Sequence, residues 1–146
     1  MHRMLARSLL LLAPWAWAGC AGYAEFIEDQ VDFTPVAGTI ESSGGPSGPW
    51  KMDVASCDSG MRDGFFGVTL SSQDGRHSVR LVKNPVGPMT VAVNVPGADG
   101  YLEVPCQAVV GSVVRTGTRI NSIPVLKGDV RFVCQGLRGA ATFTCS

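Results

Sequence analysis

The sequence predicts an all-β fold, a small antiparallel β-sandwich or barrel of about eight strands held by disulfides. Three observations predict it. The 146 residues include 18 Gly and 9 Pro, spread so that no long helix fits between them. Val and Thr are abundant from Val68 onward and recur with period two, the spacing of a half-buried strand. Turn signals interrupt these runs at short intervals, the pattern of sandwiches and barrels.

The elements follow in chain order. Arg3 and Arg7 precede an apolar run, Leu9 to Ala18, too short for a membrane span, so residues 1–19 read as a secretory signal peptide. Residues 20–35 read as a tether, acidic through Glu25, Glu28, Asp29 and Asp32. A short amphipathic helix over Glu25 to Val31 is the alternative there. Residues 36–146 read as one all-β domain, and the chain left after cleavage, about 127 residues, is long enough for a real core. Val36 to Glu41 is the first expected strand. Ser42 to Pro49, rich in Gly, Ser and Pro, is expected as a loop with no regular element. Trp50 to Val54 alternates, with Trp50, Met52 and Val54 on one face. Phe65 to Leu70, entered from Asp63-Gly64, turns at Asp74-Gly75 into Ser78 to Val82. Thr90 to Val95, Tyr101 to Val104, Gln107 to Val114, Asp129 to Cys134 and Ala140 to Cys145 complete the set, with a long loop from Arg115 to Gly128.

The last strands can be registered. A hairpin tip at Gly136 to Gly139 sets Phe132 opposite Phe143 and Val130 opposite Cys145. Val130, Phe132, Cys134, Ala141, Phe143 and Cys145 then share a buried face, while Arg131, Thr142 and Thr144 face solvent. Cys134 and Cys145 lie about 13 Å apart along the strand, beyond the roughly 7 Å between Cα atoms that a disulfide spans. Pairing Gln107–Val114 with Asp129–Cys134 brings Cys106 opposite Cys134, Ala108 opposite Phe132 and Val110 opposite Val130. Cys57 is then left for Cys145. Four cysteines allow three pairings, and the sequence leaves the other two open.

Cys20 is the fifth cysteine. Trp17-Ala18-Gly19-Cys20 resembles the lipobox of bacterial lipoproteins, in which the cysteine is acylated and becomes the new N-terminus. Lipidation of Cys20 leaves four cysteines, enough for two bridges. The alternative is cleavage after Ala18, at the small-x-small sequence Ala16-Trp17-Ala18. That gives a soluble secreted domain with an odd thiol. Ala21, rather than Asp, after Cys20 suits outer-membrane sorting in a Gram-negative envelope.

Little in the sequence carries reaction chemistry. The 12 Lys and Arg residues balance 12 Asp and Glu, and no cluster of positive charge marks a nucleic-acid partner. His77 is the one histidine after the signal and has no acidic or thiol partner near it in sequence. There is no Gly-x-Ser-x-Gly elbow, and the expectation is that the protein is not an enzyme. The cysteines lack Cys-x-x-Cys spacing, so disulfides rather than zinc are expected. Asp53, Asp58 and Asp63 recur every five residues but do not match a calcium loop, and they read as solubilising turn residues. No metal and no cofactor are expected. Arg76, Arg80, Lys83, Arg115, Arg119 and Lys127 read as solvated strand faces. Trp50, Phe65 and Phe66 are the candidates for a small apolar groove, against the plainer reading of core packing.

Gly48-Pro49-Trp50-Lys51-Met52, Cys57-Asp58-Ser59-Gly60, Phe65-Phe66-Gly67-Val68, Arg115 to Asn121, the lipobox-like start and the two C-terminal cysteines together resemble small all-β lipoproteins of the myxobacterial type, a group of unknown function. The ending Phe143-Thr144-Cys145-Ser146 is also similar to that of mycobacterial lipoprotein antigens, in which an early and a terminal cysteine pair. This likeness implies a surface-exposed all-β lipoprotein and supports Cys57–Cys145. Neither resemblance brings catalytic residues.

The expectation is therefore an exported envelope protein, lipid-anchored through Cys20, with a non-catalytic structural or interaction role. Its partners would be the membrane, through the lipid, and an unknown envelope protein. The rival is a small apolar-ligand or lipid-binding module, which a large cavity between the sheets would favour.

Overall fold

The computed structural model describes residues 35–97 and 99–146. The expected signal peptide (1–19), Cys20 and all but the last residue of the expected tether lie outside the described residues. Ten strands form two antiparallel five-stranded sheets packed as a sandwich. The first sheet holds β1 (Ala37–Ser43), β2 (Pro49–Asp53), β8 (Cys106–Ile120), β9 (Ile123–Cys134) and β10 (Leu137–Cys145) in the order β2-β1-β10-β9-β8. The second holds β3 (Ser56–Ser59), β4 (Gly67–Ser71), β5 (Ser78–Val82), β6 (Thr90–Asn94) and β7 (Tyr101–Val104) in chain order.

Every pair of neighbouring strands is consecutive in sequence except β1 and β10, whose pairing closes the first sheet. The chain changes sheets at two corners, each made by a strand run that bends rather than by a loop. At the first, Val54 N–H donates to Gly38 in the first sheet, and the next residue, Ala55, donates to Ser71 in the second. At the second, Pro105 separates β7 from β8, and its carbonyl accepts from Gln135 N–H. Proline has no N–H to leave unpaired where one ladder ends and the other begins. Counted as continuous runs, β2–β3 and β7–β8 are single strands.

Alternation fills the space between the sheets. Val68, Leu70, Val79, Leu81, Val91 and Val93 point inward from the second sheet; Ile40, Met52, Val130, Phe132, Ala141 and Phe143 meet them from the first. Each such aliphatic or aromatic side chain contributes roughly 1.5–3 kcal/mol on burial. Disulfides join Cys57 to Cys145 and Cys106 to Cys134. The first ties β3, a four-residue edge strand of the second sheet, to β10 in the interior of the first.

Several local expectations are corrected. β1 runs on to Ser43 and a 3-10 turn forms at Gly45–Ser47, where a wholly irregular loop is expected. Ser42 Oγ organises that turn, lying 2.7 Å from the Gly48 carbonyl and 3.2 Å from Ser47 Oγ. β3 is unforeseen because Ser56-Cys57-Asp58-Ser59 has no apolar alternation. Pairing with β4 and the Cys57 bridge define it instead. The strand expected from Phe65 begins only at Gly67, since a 3-10 turn at Gly60–Arg62 leads into a bend. The hairpin before β10 turns at Gln135-Gly136, with Gly136 at φ 71°, so Phe132 faces Gly139 and Val130 faces Ala141. That shift is an even number of residues, so the expected inward and outward faces survive it.

The expected loop from Arg115 to Gly128 is instead the far half of a long hairpin, β8–β9. Asn121 and Ser122 form its two-residue turn with φ 49° and 69°, the left-handed pair that matches strand twist. Residues 116–118 bulge, and Thr116 Oγ1 satisfies the bulge by accepting from Thr118 N–H and donating to the Val125 carbonyl, both at 3.1 Å. Ser59 Oγ reaches the Pro124 carbonyl at 3.0 Å and holds this hairpin against β3.

The two bridges close loops of very different length, with separations of 88 and 28 residues. Chain entropy makes the longer one worth about 1 kcal/mol more. Urea unfolding of Cys57→Ser/Cys145→Ser is therefore expected to show a larger loss than Cys106→Ser/Cys134→Ser; the reverse order contradicts the entropic origin.

Candidate functional site

The aromatic residues expected to form a groove are not brought together. Trp50 stacks on His77 with ring centroids 4.7 Å apart, across the gap between β2 and the start of β5. Phe65 and Phe66 lie in the bend before β4 and serve as platforms for cations. The Arg80 guanidinium lies 4.9 Å from the Phe65 ring, while Lys83 and Arg115 lie 5.5 and 5.3 Å from Phe66. A groove would need one of the phenylalanines on a strand beside Trp50. The turn at Gly60–Arg62 carries them instead to other surroundings.

Other sequence candidates are dispersed. Asp53 ends β2, Asp58 is exposed on β3, and Asp63 bridges to Arg80 at 3.2 Å. No group of three potential metal ligands occurs among the described residues. The His77 main chain is held by Ser72, whose Oγ accepts from its N–H at 3.1 Å and donates to its carbonyl at 3.2 Å.

The outer faces of the two sheets differ. On the second sheet, Arg80 lies 3.9 Å from the Tyr101 ring as well as beside Phe65, and Tyr101 hydroxyl bonds Ser78 at 2.7 Å. This arrangement buries Ser78 and Thr69 although both point away from the core. Cation–π contact lets the charged Arg80 take part in a largely apolar cover.

The outer face of the first sheet is open. One row across it reads Lys51, Glu41, Arg138, Val133 and Ala108 from β2 to β8; the next reads Asp53, Thr39, Ala140, Arg131 and Val110. Lys51 Nζ donates to Glu41 Oε1 at 2.9 Å, and Arg138 donates to Oε2 through Nη2 at 2.8 Å and Nε at 3.1 Å. Bonding to Lys51 and Arg138 holds the Glu41 carboxyl below its usual range, and Glu41 in turn raises Lys51. Toward β8 the face becomes apolar, with Val110 58% exposed, Val133 52% and Val114 38%. Between these parts runs an open groove of about 360 Å³, with small Ala108, Gly139 and Ala140 between Val110, Val133, Arg131 and Arg138.

Sequence reasoning misses this face because it places Val110 opposite Val130, in the core. Cys106 stands opposite Cys134, but Gln107 is an extra residue in β8, so Ala108 faces Val133 and Val110 faces Arg131. A slip of one residue moves a whole set of side chains to the other side of the sheet. The core face of β8 passes to half-buried Val109 and buried Val113, with Gly111 between them opposite Val130. Gly111, at φ 117°, fits there because a Cβ would collide with the Asp129 carbonyl. That glycine amid valines is a local signal of the slip.

Comparison with protein-family models, with curated proteins and with solved structures finds no match to this chain.

A carboxyl with a lowered pKa stabilises a fold above the ordinary carboxylate range and loses that contribution as pH falls through the lowered value. The ¹³C titration of Glu41 is expected to have a midpoint below 4.5, moving back toward 4.5 in the Lys51→Met/Arg138→Met variant. A midpoint at or above 4.5 in the unaltered protein contradicts the bridged geometry.

Proposed function

We propose that the protein is an exported bacterial envelope component, anchored by lipid on Cys20, whose β-domain is a non-catalytic interaction module. One observation carries the interaction role. The domain leaves Val110, Val114 and Val133 exposed on one sheet face while filling its interior with side chains from both sheets. Apolar surface presented outward beside cations is what a binding face requires. The apolar-ligand reading draws no such support, because the inward positions Val68, Leu70, Val79, Leu81 and Val91 interlock with Ile40 and Phe143 where a ligand would sit. Two disulfides agree with life outside the cytoplasm. The anchor rests on the lipobox-like Ala18-Gly19-Cys20 and on the parity of the cysteines.

Fractionation of a bacterial host tests the anchor. The protein is expected in the membrane fraction with a mass that starts at Cys20 and includes acyl chains, and Cys20→Ala is expected to release it. An unlipidated mass starting at Gly19, or continued membrane retention of Cys20→Ala, overturns the anchor.

A further inference from the structure

We propose that the groove on the outer face of the first sheet binds a polypeptide segment carrying carboxylates beside aliphatic side chains. The inference deepens the interaction role proposed above and rests on it, but it does not depend on the lipid.

Shape and charge both lead there. The groove floor is small and apolar, with Ala108, Gly139 and Ala140, and Val110 and Val133 stand exposed at its side. Such a depression suits an aliphatic side chain laid across two or three strands. The surrounding charge is positive. The outer face carries Lys51, Lys127, Arg131 and Arg138 against Glu41, Asp53 and Asp129, a balance positive by one. Asp129 accepts a 2.7 Å hydrogen bond from Thr142. Ion pairs among the described residues join Lys51 and Arg138 to Glu41, Arg76 to Asp74, and Arg80 to Asp63, so Arg131 at the groove has no ionic partner. A carboxylate on the ligand would supply one, and the guanidinium fork binds carboxylates in two-point geometry.

The same pattern separates polypeptide from the other occupants. Two copies meeting through this face would set its net positive charge against itself, at a cost in like-charge repulsion. A planar anionic bilayer would meet the Glu41 carboxylate and a concave surface. A peptide main chain fits the mixed rim, since its N–H groups can donate to Glu41 while its acidic side chains reach Arg131. The partner is thus defined by alternating aliphatic and acidic character.

The test uses the purified full mature protein and a fluorescein-labelled decapeptide of alternating Glu and Val, followed by fluorescence anisotropy. The Glu-Val peptide is expected to bind, to weaken as salt rises, and to bind at least tenfold more tightly than the matching Gln-Val peptide. Arg131→Glu is expected to weaken it at least tenfold, and Val133→Thr several-fold. Both positions are exposed, so both variants are expected to melt as the unaltered protein does. Methyl and amide NMR shifts on binding are expected at Thr39, Val110, Arg131, Val133 and Ala140. Absence of binding, equal binding of Gln-Val, an unchanged affinity in Arg131→Glu, or binding only to anionic phospholipid vesicles overturns the proposal. Failure here leaves the Cys20 fractionation result standing, and loss of the anchor leaves peptide binding standing.

Discussion

The register of β9 governs the rest of the molecule. This strand lies between β10 and β8, and its Val130, Phe132 and Cys134 all point into the core. Shifting it by one residue would send all three to solvent and bring Arg131 and Val133 inside, so the hydrophobic effect holds this alignment firmly. β10 follows with Ala141, Phe143 and Cys145 inward, and β1 closes on it with Ile40 buried. On the other side Cys134 fixes where β8 begins, through its bridge to Cys106. One further residue at Gln107 then changes what β8 presents, so that Val113 completes the core and Val110 stands on the surface.

The two sheets therefore have different outer surfaces. The second sheet is short-stranded, and its outer side is covered by Phe65, Arg80 and Tyr101, with Asp63 neutralising the arginine. The first has longer strands and, among the described residues, no cover over its β8 and β9 side. A sandwich needs only its inner faces for stability, so the outer faces are free to diverge. Covering one and leaving the other open with an unpaired arginine at a groove gives the domain a polarity that its core alone does not explain.

Much of this was legible in the chain. The alternation in Thr90 to Asn94, in Ser78 to Val82 and along β9 and β10 gives both the fold class and the correct inward residues, because strands with one buried face write that face into every second position. The failures occur where main-chain geometry outweighs the side-chain pattern. β3 has no pattern of its own. The Asn121-Ser122 turn lacks the glycine that usually marks a two-residue hairpin, so the stretch from Arg115 to Gly128 reads as a loop. The bulge at Gln107 carries no composition cue beyond the corner proline before it and Gly111 after it. Since it decides which valines are exposed, the candidate face could not be read from sequence, and the aromatic trio Trp50, Phe65 and Phe66 drew attention instead.

Solvent exposure of individual valine methyl groups, measured by NMR as relaxation caused by a soluble gadolinium chelate, tests the β8 register most directly. With the bulge at Gln107, Val110, Val114 and Val133 methyl signals broaden strongly while those of Val113 and Val130 stay sharp. Protection of Val110 together with broadening of Val113 would place β8 in the unbulged register and remove the exposed face on which the interaction role is built.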